Sequence, residues 1–195
     1  MILNWITENY IELIGSLLGI LYVILATREN SWCWIMGILN VIIYIFVFFK
    51  AGIFGNMSLQ VVYLFISIYG WYTWVKGKNK KPVRISKMKV HTLIWSLFLL
   101  IFLFIIVCFL LKNSSQTQIT NILDALTTSL GIIGTWMQAR KWIENWLLWI
   151  VADSLSVLLY LSQGLYPTVI FYFILILLAF NGYFTWKKQL SKNTA

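Results

Sequence analysis

Apolar residues run through this chain in seven long blocks, at 9–26, 31–49, 56–75, 92–111, 121–138, 144–162 and 167–186. They cover all sides of the expected helices, unlike the one-sided stripe of a soluble helix. Crossing the hydrocarbon core takes about 20 apolar residues as a helix, so the pattern predicts seven membrane-spanning helices with short loops. The fourth block is the purest, with no charge from Leu93 to Leu111, whereas others are interrupted by Glu12, Asp124, Glu144 and Asp153. Turn signals separate the blocks: Lys50-Ala51-Gly52, Gly55-Asn56, the polar run Lys112 to Thr120, and Gln163-Gly164 ahead of Pro167, which a first helical turn tolerates.

The chain also repeats itself. A shift of 112 residues pairs Asn9 with Asn121, Gly19 with Gly131, Arg28 with Arg140, Trp34 with Trp146 and Gly52 with Gly164. The same shift pairs Gly70-x-x-Thr73-Trp74 with Gly182-x-x-Thr185-Trp186. Leu and Ile match by chance in any two apolar segments; Gly, Trp and Arg do so far less. The expected architecture is therefore 3+1+3 within a single transporter domain. A first three-helix repeat (9–75) and a second (121–186) flank a linking helix (92–111). With one helix between the copies, both run in the same direction, as in SWEET-like transporters.

Composition closes off other classes. At 61% hydrophobic, 11% charged and mean hydropathy +0.82, the chain lies outside the soluble range. Its 15 Lys and Arg against 6 Asp and Glu do not mark a nucleic-acid surface, because 13 of them fall in the loops after helices 1, 3, 5 and 7. By the positive-inside rule the N-terminus is expected outside and the C-terminus in the cytoplasm, in the cell inner membrane. The cluster from Lys76 to Lys89 reads as an anchor to anionic headgroups. Cys33 and Cys108 lie inside apolar runs and imply neither disulfide nor metal, and residues 1–10 lack the basic start of a cleavable signal.

Function is sought in the sixth helix. Steps of four and three from Trp142 give Trp146, Trp149, Asp153, Ser156 and Tyr160, one polar-aromatic face. Asp153 falls near the midplane, where an acid costs a few kcal/mol unless it faces protein or water. Aromatic faces beside one carboxylate suit a flat organic cation. Trp142, at the inner end, also fits an interfacial belt. The third helix offers Gln60, Tyr63, Ser67, Gly70 or Trp71, and Trp74; the Gln60 amide can hydrogen-bond a carboxamide or aminopyrimidine, while Tyr63, Ser67 and Gly70 suit helix packing. Asn9-x-x-Glu12 and Asn121-x-x-Asp124 read as N-caps with an acid in the first turn. Asn181, deep in the seventh helix, needs a partner. The lone His91 has no Cys or acid cluster to join, and a glycine-rich phosphate loop is missing. No enzyme chemistry, cofactor, metal site or direct ATP coupling is expected.

Several of these stretches resemble one family. Lys141-Trp-Ile-Glu-Asn-Trp-Leu-Leu-Trp149-x-x-x-Asp153, Gln163-Gly164-Leu-Tyr166, Leu59-Gln60-Val61 and Ile68-Tyr-Gly-Trp-Tyr-x-Trp74 are similar to the Pnu family of vitamin transporters, over almost the whole chain. The resemblance implies the 3+1+3 fold, homotrimers, and facilitated diffusion made one-way by a cytoplasmic kinase that phosphorylates the substrate. It places Trp146, Trp149 and Asp153 at the substrate site, with Gln60 and Asn181 beside them. Nicotinamide riboside members (PnuC) typically carry Asn at the last motif position. Asp153, and the absence of an extra N-terminal helix found in some of those members, resemble the thiamine branch (PnuT). Thiamine is therefore the expected substrate, nicotinamide riboside the alternative, and a non-transporting membrane scaffold the alternative of another class.

Overall fold

The computed structural model describes residues 2–50, 52, 54–77, 83–114 and 116–194. These residues form seven helices: α1 (Ile2–Thr27), α2 (Trp32–Lys50), α3 (Phe54–Lys76), α4 (Val90–Leu111), α5 (Gln118–Ala139), α6 (Asn145–Ser162) and α7 (Tyr166–Thr194). The protein is an all-α membrane protein; α2 to α6 begin and end within three residues of the apolar blocks, while α1 starts seven residues earlier and α7 ends eight residues later than expected. Among the described residues four stretches, Trp32–Lys50, Val90–Leu111, Asn145–Ser162 and Tyr166–Lys192, are long and apolar enough to cross a bilayer, and Leu13–Thr27 of α1 is a shorter apolar piece. The helices α3 and α5 are as long but interrupted by polar residues. In α5 the hydroxyls are absorbed by the helix itself: Thr127, Ser129 and Thr135 donate to the carbonyls of Asp124, Ala125 and Gly131 at 3.1, 2.7 and 2.7 Å. A buried hydroxyl then exposes no unpaired donor to hydrocarbon.

The chain divides into two compact units, residues 1–82 and 83–195. In the first, α2 packs against both α1 and α3. Gly15 lets α1 and α2 approach: a Cβ there would sit 2.7 Å from the Tyr44 hydroxyl oxygen, and Asn40 Nδ2 donates to the Gly15 carbonyl at 2.7 Å. Small residues at such crossings replace the hydrophobic drive that lipid cannot supply. In the second unit α4 packs on α5, α5 on α6 and α6 on α7. Of the α4 side chains only Ser96 is buried, so this helix presents apolar residues outward nearly all round, as lipid contact requires.

Positions 112 apart adopt the same local geometry in the two units. Glu29 and Lys141, just past α1 and α5, both have positive φ, 54° and 52°. Gly52 and Gly164, past α2 and α6, have φ 70° and 72°. Around the first pair the backbone bonds also correspond: Glu29 N–H to Ala26 and Asn30 N–H to Leu25 match Lys141 N–H to Gln138 and Trp142 N–H to Met137.

Two expectations need correction. Asn121 is not an N-cap, because α5 begins a turn earlier with Thr117 as its cap, whose side chain accepts from Thr120 N–H at 3.2 Å. Instead Asn121 Oδ1 accepts from Ser114 Oγ at 2.6 Å and its Nδ2 donates to the Leu111 carbonyl at 3.3 Å, so it fastens the end of α4. Asn9 likewise lies within α1 rather than before it. The side chains of Asn9 and Glu12, and Lys78, Lys80 and Lys81 of the basic loop, lie outside the described residues.

Candidate functional site

The entry to α6 is a clamped turn. The strand-like segment ahead of α4 runs alongside it: Ser86 N–H donates to the Lys141 carbonyl and Ile143 N–H to the Ser86 carbonyl, each at 3.1 Å. Met88 N–H donates to both Glu144 carboxylate oxygens at 3.2 and 3.1 Å. Trp142 belongs to this turn, T-stacked on Trp136 at 5.1 Å with the Arg140 guanidinium 5.3 Å from its ring. The predicted face therefore starts at Trp146, the second residue of α6, and not at Trp142.

Trp146 faces α7. It is 1% exposed and T-stacked on Trp186, with centroids 5.3 Å apart and planes at 86°. A Cβ on Gly182 would lie 2.6 Å from its ring. Trp34 does the same in the first unit, against Trp74 at 5.5 Å and 87°, over Gly70. Among the described residues neither indole N–H has a hydrogen-bond partner, so packing rather than hydrogen bonding fixes both rings. The repeated Gly-x-x-Thr-Trp signature is thus a glycine floor and an edge for a buried Trp.

Trp149 turns the other way, onto α5. Its Nε1 donates to Gln138 Oε1 at 3.2 Å, and a Cβ on Gly134 would meet its ring at 3.3 Å. In the first unit the corresponding contact is reversed: Tyr22 of α1 covers Gly37 of α2, 3.1 Å from where a Cβ would stand. Gly37 corresponds to Trp149 and Tyr22 to Gly134 under the same shift, so ring and glycine have changed helices.

Asp153 is 4% exposed, one turn beyond Trp149. Among the described residues no hydrogen bond reaches its carboxyl. The neighbouring Ser156 spends its hydroxyl on the Ala152 carbonyl at 3.0 Å. An acid buried in a membrane helix is costly unless it faces protein or water, which keeps Asp153 as the candidate ligand contact. Further along the same face Tyr160 stacks on Tyr172 of α7 at 5.3 Å, planes 13° apart.

The remaining candidates separate. Gln60 lies in the first unit, half-buried on α3. On that helix Ser67, Gly70 and Trp74 are buried while Trp71 is exposed, which decides between Gly70 and Trp71 for the inward face. Asn181 is exposed on α7, contrary to the expectation of a deep residue needing a partner. Gln138 and Asn145, both fully buried, went unpredicted; a polar amide in an apolar block was the signal available. Among the described residues no group of three His, Cys, Asp or Glu could hold a metal.

Comparison with known proteins bears on this arrangement. The nicotinamide riboside transporter PnuC of Escherichia coli (strain K12) is 25% identical over 203 aligned residues, covering 91% of this chain and 85% of that protein. The riboflavin/roseoflavin transporter RibM of Streptomyces davaonensis is 25% identical over 158, covering 78% and 73%. The PnuC of Haemophilus influenzae is 22% identical over 189, covering 95% and 82%. A crystal structure of the vitamin B3 transporter PnuC shares the fold, with TM-score 0.76 at 18% identity over 98% of this chain and 86% of that one. The family described as nicotinamide mononucleotide transporter matches residues 9–188, and the chain belongs to it, as a member of the Pnu vitamin transporters.

Proposed function

We propose that this protein carries nicotinamide riboside across the cell inner membrane by facilitated diffusion. The observation that carries the reading is Asp153, an acid buried in a membrane helix one turn from Trp149, in a family of vitamin transporters. Nicotinamide riboside presents a flat cationic ring for the aromatic faces and a carboxamide and hydroxyls for polar groups. The two PnuC relatives named above support this substrate over thiamine, which none of the relatives named above carries in its name; the thiamine expectation rested on Asp153 and chain length alone. In this reading Trp149 and Asp153, both on α6, contact the ligand. Trp146 holds the α6–α7 pair beneath them. The N-terminus lies outside and the C-terminus in the cytoplasm, as the basic loops favour. Resemblance to the family supports a homotrimer whose transport is made one-way by a cytoplasmic kinase.

Titration of the purified protein with nicotinamide riboside, thiamine and riboflavin tests the substrate. Nicotinamide riboside should bind at least tenfold more tightly than the others. Asp153→Leu should weaken it by roughly 1.5–3 kcal/mol, the scale of a hydrogen bond to a charged group. Tighter binding of thiamine would restore the thiamine reading, and binding of no vitamin would favour a scaffold.

A further inference from the structure

An open groove runs between α1 and α2 in the first unit. It is lined by Ile11 and Ile14 of α1 and by Ile42, Ile43, Phe46 and Val47 of α2, with a volume of about 500 Å³. Ile14, Ile42 and Phe46 are 45, 48 and 55% exposed, so the groove opens to the outside of the protein. Its origin is local. At Gly15 the two helices close up, with the Tyr44 ring over the glycine and Asn40 Nδ2 donating to its carbonyl at 2.7 Å. One turn beyond that contact the walls are Ile11 and Val47, and branched side chains with a fixed χ1 do not swing in to fill the gap.

One charge stands at the mouth of this groove. Lys50, the last residue of α2, places its ammonium 4.5 Å from the centroid of the Phe46 ring, so the cation leans over a wall of the groove instead of reaching away from it. Lys50 is also the only charged residue between Glu29 and Lys76. From Ile42 to Lys50 the groove extends about 12 Å along α2, which fits inside one leaflet of a hydrocarbon core ~30 Å thick. Helix packing does not require the feature. The positions that match Phe46, Val47 and Lys50 in the second unit are Leu158, Leu159 and Ser162. There Leu159 is buried, and the Ser162 hydroxyl donates to its carbonyl at 2.6 Å.

We propose that the groove binds an anionic phospholipid, with one acyl chain laid between α1 and α2 and the phosphate on Lys50. Lipid tails are as apolar as the groove wall, so retention rests on van der Waals fit to a preformed surface and on the headgroup charge. A phosphate beside the ammonium gains a charge-assisted hydrogen bond at the edge of the bilayer. In a zwitterionic lipid the headgroup's own cation offsets that attraction. A second copy of the chain seated in the groove would cover Lys50 with protein, whereas a lipid leaves the ammonium at the interface with water, where a long basic side chain is stable.

The test uses the full chain in vesicles of dioleoylphosphatidylcholine doped with phosphatidylglycerol or phosphatidylcholine that carries a photoreactive diazirine in its acyl chain, with the labelled residues mapped by mass spectrometry. Phosphatidylglycerol should label residues 11–14 and 42–47 about fivefold more than phosphatidylcholine does, the effect of one Lys near the surface. The middle of α4, a helix on which only Ser96 is buried, should label equally with both lipids and serves as the control for folding and insertion. Lys50→Gln should bring phosphatidylglycerol labelling of the groove down to the phosphatidylcholine level, and Lys50→Arg should keep the preference. Ile42→Trp, which fills the groove from an exposed position, should lower labelling there by both lipids and leave α4 unchanged. Equal labelling of the groove by both lipids in the wild type overturns the proposal, as does a preference that survives Lys50→Gln. Absence of label in the groove while α4 reacts also overturns it, and a crosslink to a second copy would then identify contact between chains as what covers the face. None of these results depends on which vitamin is carried.

Discussion

Replacing Trp146 by Ala separates packing from recognition. The indole is 1% exposed, T-stacked on Trp186 at 5.3 Å and seated on Gly182. Within a bilayer the water-transfer part of a large-to-small change is small, so the lost dispersion contacts and the void dominate. Removing about 140 Å³ of side chain at ~24 cal/mol per Å³ gives roughly 3 kcal/mol before relaxation. Trp149 differs, being half-buried and held by one 3.2 Å bond to Gln138, so Trp149→Ala should cost about 1 kcal/mol of stability. Its effect should appear in binding, which should weaken about tenfold. Thermal unfolding of both variants in one detergent, with nicotinamide riboside titrated into the folded fraction, tells the roles apart. Gly182→Ala belongs in the same series, since its Cβ would stand 2.6 Å from the Trp146 ring and overpacking of this kind costs about 1–3 kcal/mol. Combined with Trp146→Phe, that cost should shrink. A Trp146→Ala protein that melts with the wild type yet binds the vitamin tenfold more weakly would refute this assignment and make the ring a ligand contact.

Gly52→Ala and Gly164→Ala should each cost about 1 kcal/mol from backbone strain alone, because both glycines have positive φ and nothing lies within 4 Å of the added Cβ; unequal melting shifts would count against their equivalence. Glu144→Ala removes the acceptor of Met88 N–H, a charge-assisted contact worth roughly 1.5–3 kcal/mol. Limited proteolysis should then cut within residues 83–89 faster than in the wild type.

The helices were legible because apolar blocks of this length have few alternatives, and Gly52 and Gly164 announced their turns. What the pattern could not supply was direction around each helix. Trp146 and Trp149 are one step apart on a single predicted face, yet one is spent on α7 and the other on α5. That division depends on Gly182 and Gly134, whose missing side chains admit the rings. Asn121 was misread for a related reason. Asn with an acid three residues later is a local cap pattern, and nothing local reveals that Ser114 and Leu111 come back to meet it. Asn181 reads as buried in an apolar stretch because polarity alone does not say which side of α7 it occupies.

The exchange between Tyr22 over Gly37 and Trp149 over Gly134 restricts the order in which such a contact can be altered. Placing a ring at Gly37 while Tyr22 remains puts two aromatic side chains in a space shaped for one. Removing Tyr22 first leaves a void instead. Whichever change comes first, the chain passes through a less stable intermediate, and only the second change restores the packing. Each aromatic-glycine pair is therefore a unit of mutation. Engineering that transplants a ring from one unit to the other has to move both residues together, and among natural relatives the two positions should be found to vary as a pair.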